Sequence, residues 1–436
     1  MKKKKKAIIF LSLFSIFSLI LSSFFALSAS ASAAPTPPDT DNCAAVCLYD
    51  KTHGKTVVME NGDKLLNTST SAKVMLGLLA CEILADRLDD TVVLNERMLS
   101  GSSGYSMGLK SGEKIKTIDL LYGAVCGSYN DAAYAVASLC AENSASFVDM
   151  MNEKAAALGA SSTCYTNPLG YPDNDAMVST LSDTLKIAIA ASENELYMQI
   201  CSAKSYTVSA TNFNSERTIY NRNRLLYTPS NADFAYFNSA CLGMNAGNSG
   251  DAGGWSVITL AQDDGADYIC IILGGRESDK GEIFAYKAAN TLIDWACGTY
   301  NTFNLFKPGD ILGKVSVSMT SLGDEEVDFI AADALDVYIP NGSSGEIEMR
   351  VEYVSDKIEA PIKKGEKIGV ATAYQDGEKV GSCDLLLSKD CEANLFMKTV
   401  DAIGRYTKSR AFIASAAFVG VVLPIAIFIS KRRRWR

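Results

Sequence analysis

The stretch Asn67–Lys73, read with the mostly apolar run Val74–Leu79 that follows it, constrains this chain more than any other. Hydroxyl residues directly before a helical apolar pattern are typical N-cap residues, so a helix is predicted to begin near Thr70. Thr70 and Lys73 are three residues apart, which places them on one face of that helix near its N-terminus. A hydroxyl beside a lysine is the arrangement of an activated nucleophile. A simple helix cap is the alternative interpretation.

A second polar segment, Gly127–Asp131, interrupts an otherwise apolar helical pattern. It predicts a break between two buried helices, and Ser128 and Asn130 could line a site at that break. The alternative is that one of these two residues caps the second helix.

A third unusual stretch lies in the β pattern between Phe237 and Gly274, where Trp255–Gln262 and Tyr268–Leu273 are predicted strands. Glycine crowds the lead-in to these strands, at positions 243, 247, 250, 253 and 254. Glycine weakens a strand, so this density indicates that the backbone approaches another group closely.

Both ends of the chain carry membrane-targeting patterns. Residues 1–33 read as a secretory signal, with five lysines, an apolar region and an Ala/Ser cleavage site; an uncleaved anchor is the less favoured alternative. A Pro-rich linker is predicted over 34–42. Near the other end, residues 394–410 are predicted as a juxtamembrane linker and the 20 apolar residues 411–430 as a transmembrane helix. The basic residues in 431–436 predict a cytoplasmic tail and extracytoplasmic folded domains.

Charge and residue counts exclude several function classes. Leaving out the five lysines of the leader and the five basic residues of the tail reduces the 41 Lys and Arg to 31, against 50 acidic residues. Such a surface repels phosphate backbones, so no nucleic-acid partner is expected. The single histidine, His53, falls in a predicted hairpin turn, which disfavours Ser-His-Asp and Cys-His catalysis. No metal site and no cofactor are expected.

The twelve cysteines are predicted to be mostly unpaired core residues, because most of them sit singly inside apolar runs. Two pairs, Cys43/Cys47 and Cys383/Cys391, are close enough in sequence to be candidate disulfides.

The coarse pattern predicts two folded domains. In residues 43–300 a hairpin, several helices and further strands suggest one sheet assembled from both ends of the domain. Residues 301–393 alternate in the β pattern, with Asp376-Gly377 as a hairpin turn, and predict a small all-β domain.

The three polar motifs, in this order, resemble those of the serine D-Ala-D-Ala carboxypeptidases, the low-molecular-weight penicillin-binding proteins. That family shows S-x-x-K, then S-x-N, then K-T-G on an edge strand. The resemblance covers about residues 43–395. Further segments that look like family segments are 106–113, 120–123, 130–133, 152–154, 167–170, 217–226 and, in the β-rich region, 360–369.

The resemblance implies an α/β, penicillin-binding-protein/β-lactamase-like fold: an antiparallel sheet with helices on both faces, followed by a β-rich stalk. It implies that Lys73 is the base, and that Ser128 and Asn130 relay protons and hold the substrate. The implied substrate is a peptidoglycan stem peptide ending in D-Ala-D-Ala, and β-lactams are implied ligands.

Two of the three motifs depart from the family pattern. Alignment on Lys73 puts Thr70 where the nucleophilic serine belongs, with Ser69 and Ser71 one residue out of register. The third motif reads Asn245-Ala246-Gly247, so only its glycine is retained. These three positions are nevertheless the implied substrate-binding edge.

Two functional hypotheses therefore stay open. The chain is a carboxypeptidase of weak or altered activity that uses Thr70, or it is an inactive relative that binds cell-wall peptide or a partner protein. A β-lactamase is disfavoured, because the β stalk and membrane tail are carboxypeptidase features.

Overall fold

The computed structural model describes residues 35–67, 69–171, 176–227, 234–250, 253–263, 265–320, 326–341, 347–355 and 357–409, with a few positions between 412 and 430. The predicted signal (1–33) and tail (431–436) lie outside these residues, as does most of the predicted transmembrane segment 411–430. Among the described residues, none of the helices has the length and apolar character needed to cross a membrane. The chain divides into two compact units, residues 34–301 and residues 302 onward.

A five-stranded antiparallel sheet organises the first unit, in the order β2-β1-β9-β8-β7. The pairing of β1 with β9 confirms that both ends of this unit contribute to one sheet. His53 lies in the β1–β2 turn, as predicted. Strand β7 is at the edge of the sheet. The bounds are β1 Ala45–Asp50, β2 Lys55–Glu60, β7 Cys241–Asn248, β8 Trp255–Gln262 and β9 Asp267–Gly275.

Helices cover the sheet and form most of the unit. Successive residues of β8 and β9 are buried, and because alternate residues face opposite sides, both faces of the sheet are covered. The helices are α1 Ser69–Leu84, α2 Glu96–Leu99, α3 Thr117–Val125, α4 Asn130–Cys140, α5 Ser144–Ala157, α6 Leu181–Ser192, α7 Glu195–Cys201 and α8 Phe284–Thr299. Two short hairpins complete it: β3 Thr91–Val93 with β4 Lys114–Lys116, and β5 Ser205–Val208 with β6 Arg217–Tyr220.

Helix α1 is the centre of this unit. It begins at Ser69, as the hydroxyl cluster predicted, and contacts α3, α4, α5, α6, α7, β7 and β8. Its apolar residues from Val74 to Leu78 are almost completely buried. Gly77 packs so closely against the buried ring of Tyr197 that a Cβ there would lie 2.6 Å from the ring. The position of α1 therefore depends on a side chain being absent at residue 77.

The second unit is all-β up to a terminal helix. Its six-stranded sheet has the order β14-β16-β17-β12-β11-β15, and β10 pairs with β13. Asp376 and Gly377 form the predicted turn between β16 and β17. The bounds are β10 Tyr300–Phe306, β11 Ile311–Ser318, β12 Glu326–Ala331, β13 Leu335–Pro340, β14 Glu348–Tyr353, β15 Ile358–Glu359, β16 Lys367–Gln375, β17 Glu378–Leu387 and α9 Leu395–Lys408.

The twelve cysteines are all present as free thiols, including the candidate pairs Cys43/Cys47 and Cys383/Cys391. Eight of them are buried, where a thiol acts as a small apolar side chain.

The substitution Gly77→Ala is expected to lower the free energy of unfolding by about 1–3 kcal/mol, because the new methyl group overlaps the Tyr197 ring. Gly298→Ala is the matched control: it is also in a helix, has open space around it, and should be neutral or stabilising by about 0.5 kcal/mol. Denaturant titration followed by tryptophan fluorescence measures both. Equal effects of the two substitutions would contradict this packing.

Candidate active site

A cavity of about 430 Å³ lies at the start of α1 and contains all seven residues singled out from sequence. Its walls include Thr70, Lys73, Ser128 and Asn130, together with the β7 residues Asn245, Ala246 and Gly247. Three segments that are far apart in sequence therefore meet at one place.

Thr70, rather than its neighbour Ser71, faces this cavity. Ser71 is completely buried on the core side, where the hydroxyl of Tyr165 donates to its Oγ at 3.4 Å. Thr70 Oγ1 is buried and has no hydrogen-bond partner among the described residues. The helix thus presents the threonine hydroxyl to the site, and that hydroxyl is not engaged elsewhere in the described part of the chain.

Lys73 joins α1 to the break between α3 and α4. Its Nζ donates to the main-chain oxygen of Ser128 at 2.7 Å, to Ser128 Oγ at 3.0 Å and to Asn130 Oδ1 at 2.9 Å. Desolvation by burial and, to a lesser extent, the positive charge of Arg222 lower the pKa of Lys73 from 10.5 to about 7, while the charge of Asp131 opposes the shift. At neutral pH a large fraction of Lys73 is therefore uncharged and able to accept a proton.

The backbone at Ser128 is shaped to receive the lysine. Ser128 has φ +54°, a left-handed conformation that is uncommon for residues other than glycine. This turn directs both oxygens of Ser128 towards Lys73, and α4 begins two residues later at Asn130. The predicted polar break is thus a sharp turn between two helices whose polar atoms line the cavity.

The edge strand β7 passes close to Thr70. A Cβ built at Gly247 would lie 3.7 Å from Thr70 Oγ1, so the strand backbone borders the hydroxyl directly. Asn245 and Ala246 are almost fully buried, and neither supplies a positive charge. The close backbone approach that the glycine-rich lead-in predicted is found at Gly243, where a Cβ would lie 2.5 Å from the carbonyl oxygen of Cys201.

Sequence reasoning assigned no role to two side chains that shape the cavity. The guanidinium of Arg222 lies 4.3 Å from the ring centre of Tyr105, and that ring stacks on Tyr129 at 4.6 Å. Arg222 and Tyr105 both line the cavity. The one sequence signal that could have pointed to Arg222 was its position in the segment 217–226, which resembles the family.

Asp131 holds the rim of the cavity in place. Its buried carboxylate accepts hydrogen bonds from the hydroxyl of Ser106 at 2.6 Å and from the main-chain N–H groups of Met107, Gly108 and Leu109 at 3.0 Å. The main-chain N–H of Asn130 also donates to the carbonyl of Tyr105. The loop that carries Tyr105 is thus fixed to the N-terminus of α4. No cluster of metal-binding side chains occurs among the described residues.

Comparison with known proteins identifies matching family models across both units. A model described as D-alanyl-D-alanine carboxypeptidase matches residues 31–277, more than half of the chain. A second, described as penicillin-binding protein 5, C-terminal domain, matches residues 300–393. The two matches follow the same order as the catalytic and β-rich regions predicted from the sequence.

Individual relatives support the same relationship. The chain is 24% identical to D-alanyl-D-alanine carboxypeptidase DacF of Bacillus subtilis, covering 83% of this chain and 89% of the relative. It is 26% identical to D-alanyl-D-alanine carboxypeptidase DacA of Escherichia coli, covering 85% and 88%. The structure of penicillin-binding protein 5 from Haemophilus influenzae superimposes with a TM-score of 0.61 at 23% identity, covering 82% of this chain and all of that one.

The substitution Asp131→Asn is expected to lower the free energy of unfolding by about 2–3 kcal/mol, because an amide cannot accept all the hydrogen bonds that the carboxylate accepts. The control is Asp90→Asn, since Asp90 is half-exposed and its carboxylate pairs with Arg87 at the surface; its effect should stay within about 0.5 kcal/mol. Urea titration followed by fluorescence of Trp255 and Trp295, both in the first unit, compares the two. Equal stabilities of the two variants would argue against the anchoring role of Asp131.

Proposed function

Because the chain belongs to the D-alanyl-D-alanine carboxypeptidase family, we propose that it removes the terminal D-Ala from peptides ending in D-Ala-D-Ala, using Thr70 as the nucleophile. The observation that carries this proposal is the cavity in which an unengaged Thr70 hydroxyl lies beside a lysine of lowered pKa. The retained Lys73, Ser128 and Asn130 supply the groups that proton transfer requires.

The first chemical step is transfer of the peptide acyl group to Thr70. Neutral Lys73 takes the hydroxyl proton while Oγ1 bonds to the carbonyl carbon of the penultimate D-Ala. When the tetrahedral intermediate collapses, its C–N bond breaks and the proton passes from Lys73 through the Ser128 hydroxyl to the departing amine. Free D-Ala leaves, an ester remains on Thr70, and water hydrolyses that ester in the second step.

The start of α1 favours the negative charge that develops in these steps. Thr70 is the second residue of the helix, so its N–H is one of the first four, which have no carbonyl partner within a helix. A helix N-terminus also carries a partial positive charge. Both effects stabilise an oxyanion formed next to Thr70.

Arg222 is the side chain we assign to the terminal carboxylate of the substrate. It is the cation that lines the cavity beside Lys73, and the Tyr105 ring holds its guanidinium. Asn245 and Ala246 cannot supply a charged contact from the strand. Loss of one charge-assisted hydrogen bond costs about 1.5–3 kcal/mol, so binding through β7 alone would be weak.

Turnover is expected to be slow compared with that of a serine enzyme. The extra methyl group of threonine restricts χ1, which limits the approach of Oγ1 to the carbonyl. Removing a nucleophile altogether costs up to about 10⁶ in rate in a hydrolase. We expect the rate of this chain to lie between that of an enzyme without its nucleophile and that of a serine enzyme of the family.

We also propose that the protein works outside the cytoplasmic membrane, where peptidoglycan stem peptides occur. The support is in the sequence: the leader pattern of residues 1–33, and the apolar segment 411–430 followed by basic residues. Both folded units would then lie on the outer side, attached to the membrane through the C-terminal segment.

Labelling with a reporter β-lactam tests the nucleophile directly, because a β-lactam acylates the same hydroxyl and stays attached. The purified protein should become labelled, Thr70→Ala should not, and Ser71→Ala should retain labelling because Ser71 faces the core. Mass spectrometry of the labelled peptide locates the ester. Thr70→Ser should label at least about tenfold faster, since it removes the restricting methyl group.

Absence of labelling in the native chain at any protein concentration would contradict the catalytic proposal and leave peptide binding without cleavage. The triple variant Thr70→Ser, Asn245→Lys, Ala246→Thr then serves as the control for folding. If it becomes labelled, the scaffold is competent and the three departures account for the loss.

The rate of acylation should rise about tenfold between pH 6 and pH 8, because the neutral fraction of a lysine with a pKa near 7 grows from about 0.1 to about 0.9 over this range. The rate should level off above pH 8. Labelling with the reporter β-lactam, stopped at a series of times at each pH, measures the acylation rate. Lys73→Arg is the control, because arginine stays protonated and the variant should be inactive. A rate independent of pH from 6 to 8 would exclude Lys73 as the base.

A further inference from the structure

The strand β14, in the second unit, carries an exposed row of main-chain hydrogen-bonding groups. It is the terminal strand of its six-stranded sheet, and β16 is the strand that pairs with it in the described part of the chain. All six of its residues are exposed, and its register with β16 contains no bulge. A regular, open edge of this kind is a template on which a further strand can pair.

Alternate residues along β14 direct their main-chain groups to opposite sides of the strand. The N–H of Val354, directly after β14, donates to a carbonyl of β16 at 2.9 Å. The carbonyl of Glu352 also lies over β16, where a Cβ built at Gly369 would be 2.6 Å from its oxygen. The residues between and before these two therefore direct their N–H and C=O groups to the free edge. They are Met349, Val351 and Tyr353.

The side chains of the same three residues form an apolar strip on one face of the sheet. Their cross-strand neighbours on β16 include the buried core residues Ala371 and Ala373, so this face continues the core of the unit. Met349, Val351 and Tyr353 are nevertheless 37%, 39% and 45% exposed. The core of the unit therefore ends at an open border, and covering that border with apolar side chains is favourable.

The charges on the opposite face of β14 are complementary to a second copy of the same strand. Antiparallel pairing centred on Val351 puts Arg350 opposite the partner's Glu352, and the two-fold symmetry makes this contact twice. A centre one residue earlier would place Arg350 opposite its own copy, and a centre one residue later would do the same for Glu352. A shift by two residues shortens the overlap. The charges therefore favour one register.

We propose that two copies of this chain associate by antiparallel pairing of their β14 strands about Val351, which joins the two sheets into one. Val351 then faces its own copy and Met349 faces the partner's Tyr353. About six main-chain hydrogen bonds form, two for each pair of residues that face the shared edge. The apolar strips of the two copies meet on one face, and the two pairs of Arg350 with Glu352 lie on the other. The pairing uses the second unit alone and does not depend on turnover at Thr70.

Cysteine cross-linking of the purified full chain tests the register. Val351→Cys places two thiols opposite each other, at a Cα separation of about 5.5 Å that a disulfide can span. Val354→Cys is the matched control, because Val354 is more exposed, at 68%, yet its two copies would lie about 20 Å apart. Oxidation with copper phenanthroline should give a covalent dimer of Val351→Cys, linked through position 351 by mass spectrometry, and no more dimer of Val354→Cys than of the native chain. Equal yields from the two variants, or no dimer from either, would overturn the proposal.

Charge reversal tests the contact between Arg350 and Glu352. Arg350→Glu and Glu352→Arg each place like charges opposite each other at two points, so each should weaken self-association by at least about tenfold in sedimentation equilibrium. An equimolar mixture of the two variants should recover the native affinity, because every carboxylate then faces a guanidinium.

Recovery in the mixture would also show that both variants fold. A mixture that associates no more tightly than the separate variants, or single variants that associate as tightly as the native chain, would contradict this pairing. A native chain that stays monomeric at every concentration tested would also reject it, and would leave the β14 edge for a different protein.

Discussion

The desolvated ammonium of Lys73 is the interaction on which the rest of the site depends. Lowering its pKa from 10.5 to about 7 means that the charged form of Lys73 destabilises the folded state by up to roughly 5 kcal/mol. This cost is present in full below pH 7 and decreases as the pH rises towards 10.5. Three acceptors from Ser128 and Asn130 keep the buried Nζ hydrogen-bonded despite that cost. They do so only if the chain turns sharply at Ser128, so the lysine, the left-handed residue and the start of α4 form one interdependent arrangement.

The departures at the active site leave the edge strand without a charge, but a cation remains elsewhere in the cavity lining. The edge strand carries an amide and a methyl group at 245 and 246, whereas a guanidinium lies on another wall at Arg222. Arg222 lowers the pKa of Lys73 as well as facing the cavity. One cation therefore acts both on the base and on any anionic ligand, and these two effects are coupled: an anion bound at Arg222 would weaken its influence on Lys73.

Much of the fold could be predicted from local sequence patterns, because helix starts and tight turns depend on interactions between residues close in sequence. The start of α1 and the pairing of Thr70 with Lys73 depend on helix spacing, and the turn at Asp376-Gly377 depends on two residues. Arg222 and Tyr105 could not be found in this way, since their contact joins residues more than a hundred positions apart. The strained φ of Ser128 also arises only from tertiary packing. Strand β7, Cys241–Asn248, lies within the glycine-rich lead-in, where polar and glycine residues mask the β pattern in the sequence.

The hydrogen bonds of Asp131 have a consequence for substitutions at the rim of the cavity. The carboxylate of Asp131 accepts hydrogen bonds from the main chain of residues 107–109 and so fixes the rim loop to the start of α4, where the proton-relay residues lie. The contacts use backbone N–H groups, which persist whatever side chains the loop carries. Substitution at position 105 would therefore alter the ring that contacts Arg222 at the entrance, while Asn130 remains aligned with Lys73. The contacts at the entrance can thus change while the hydrogen bonds from Lys73 to Ser128 and Asn130 are kept.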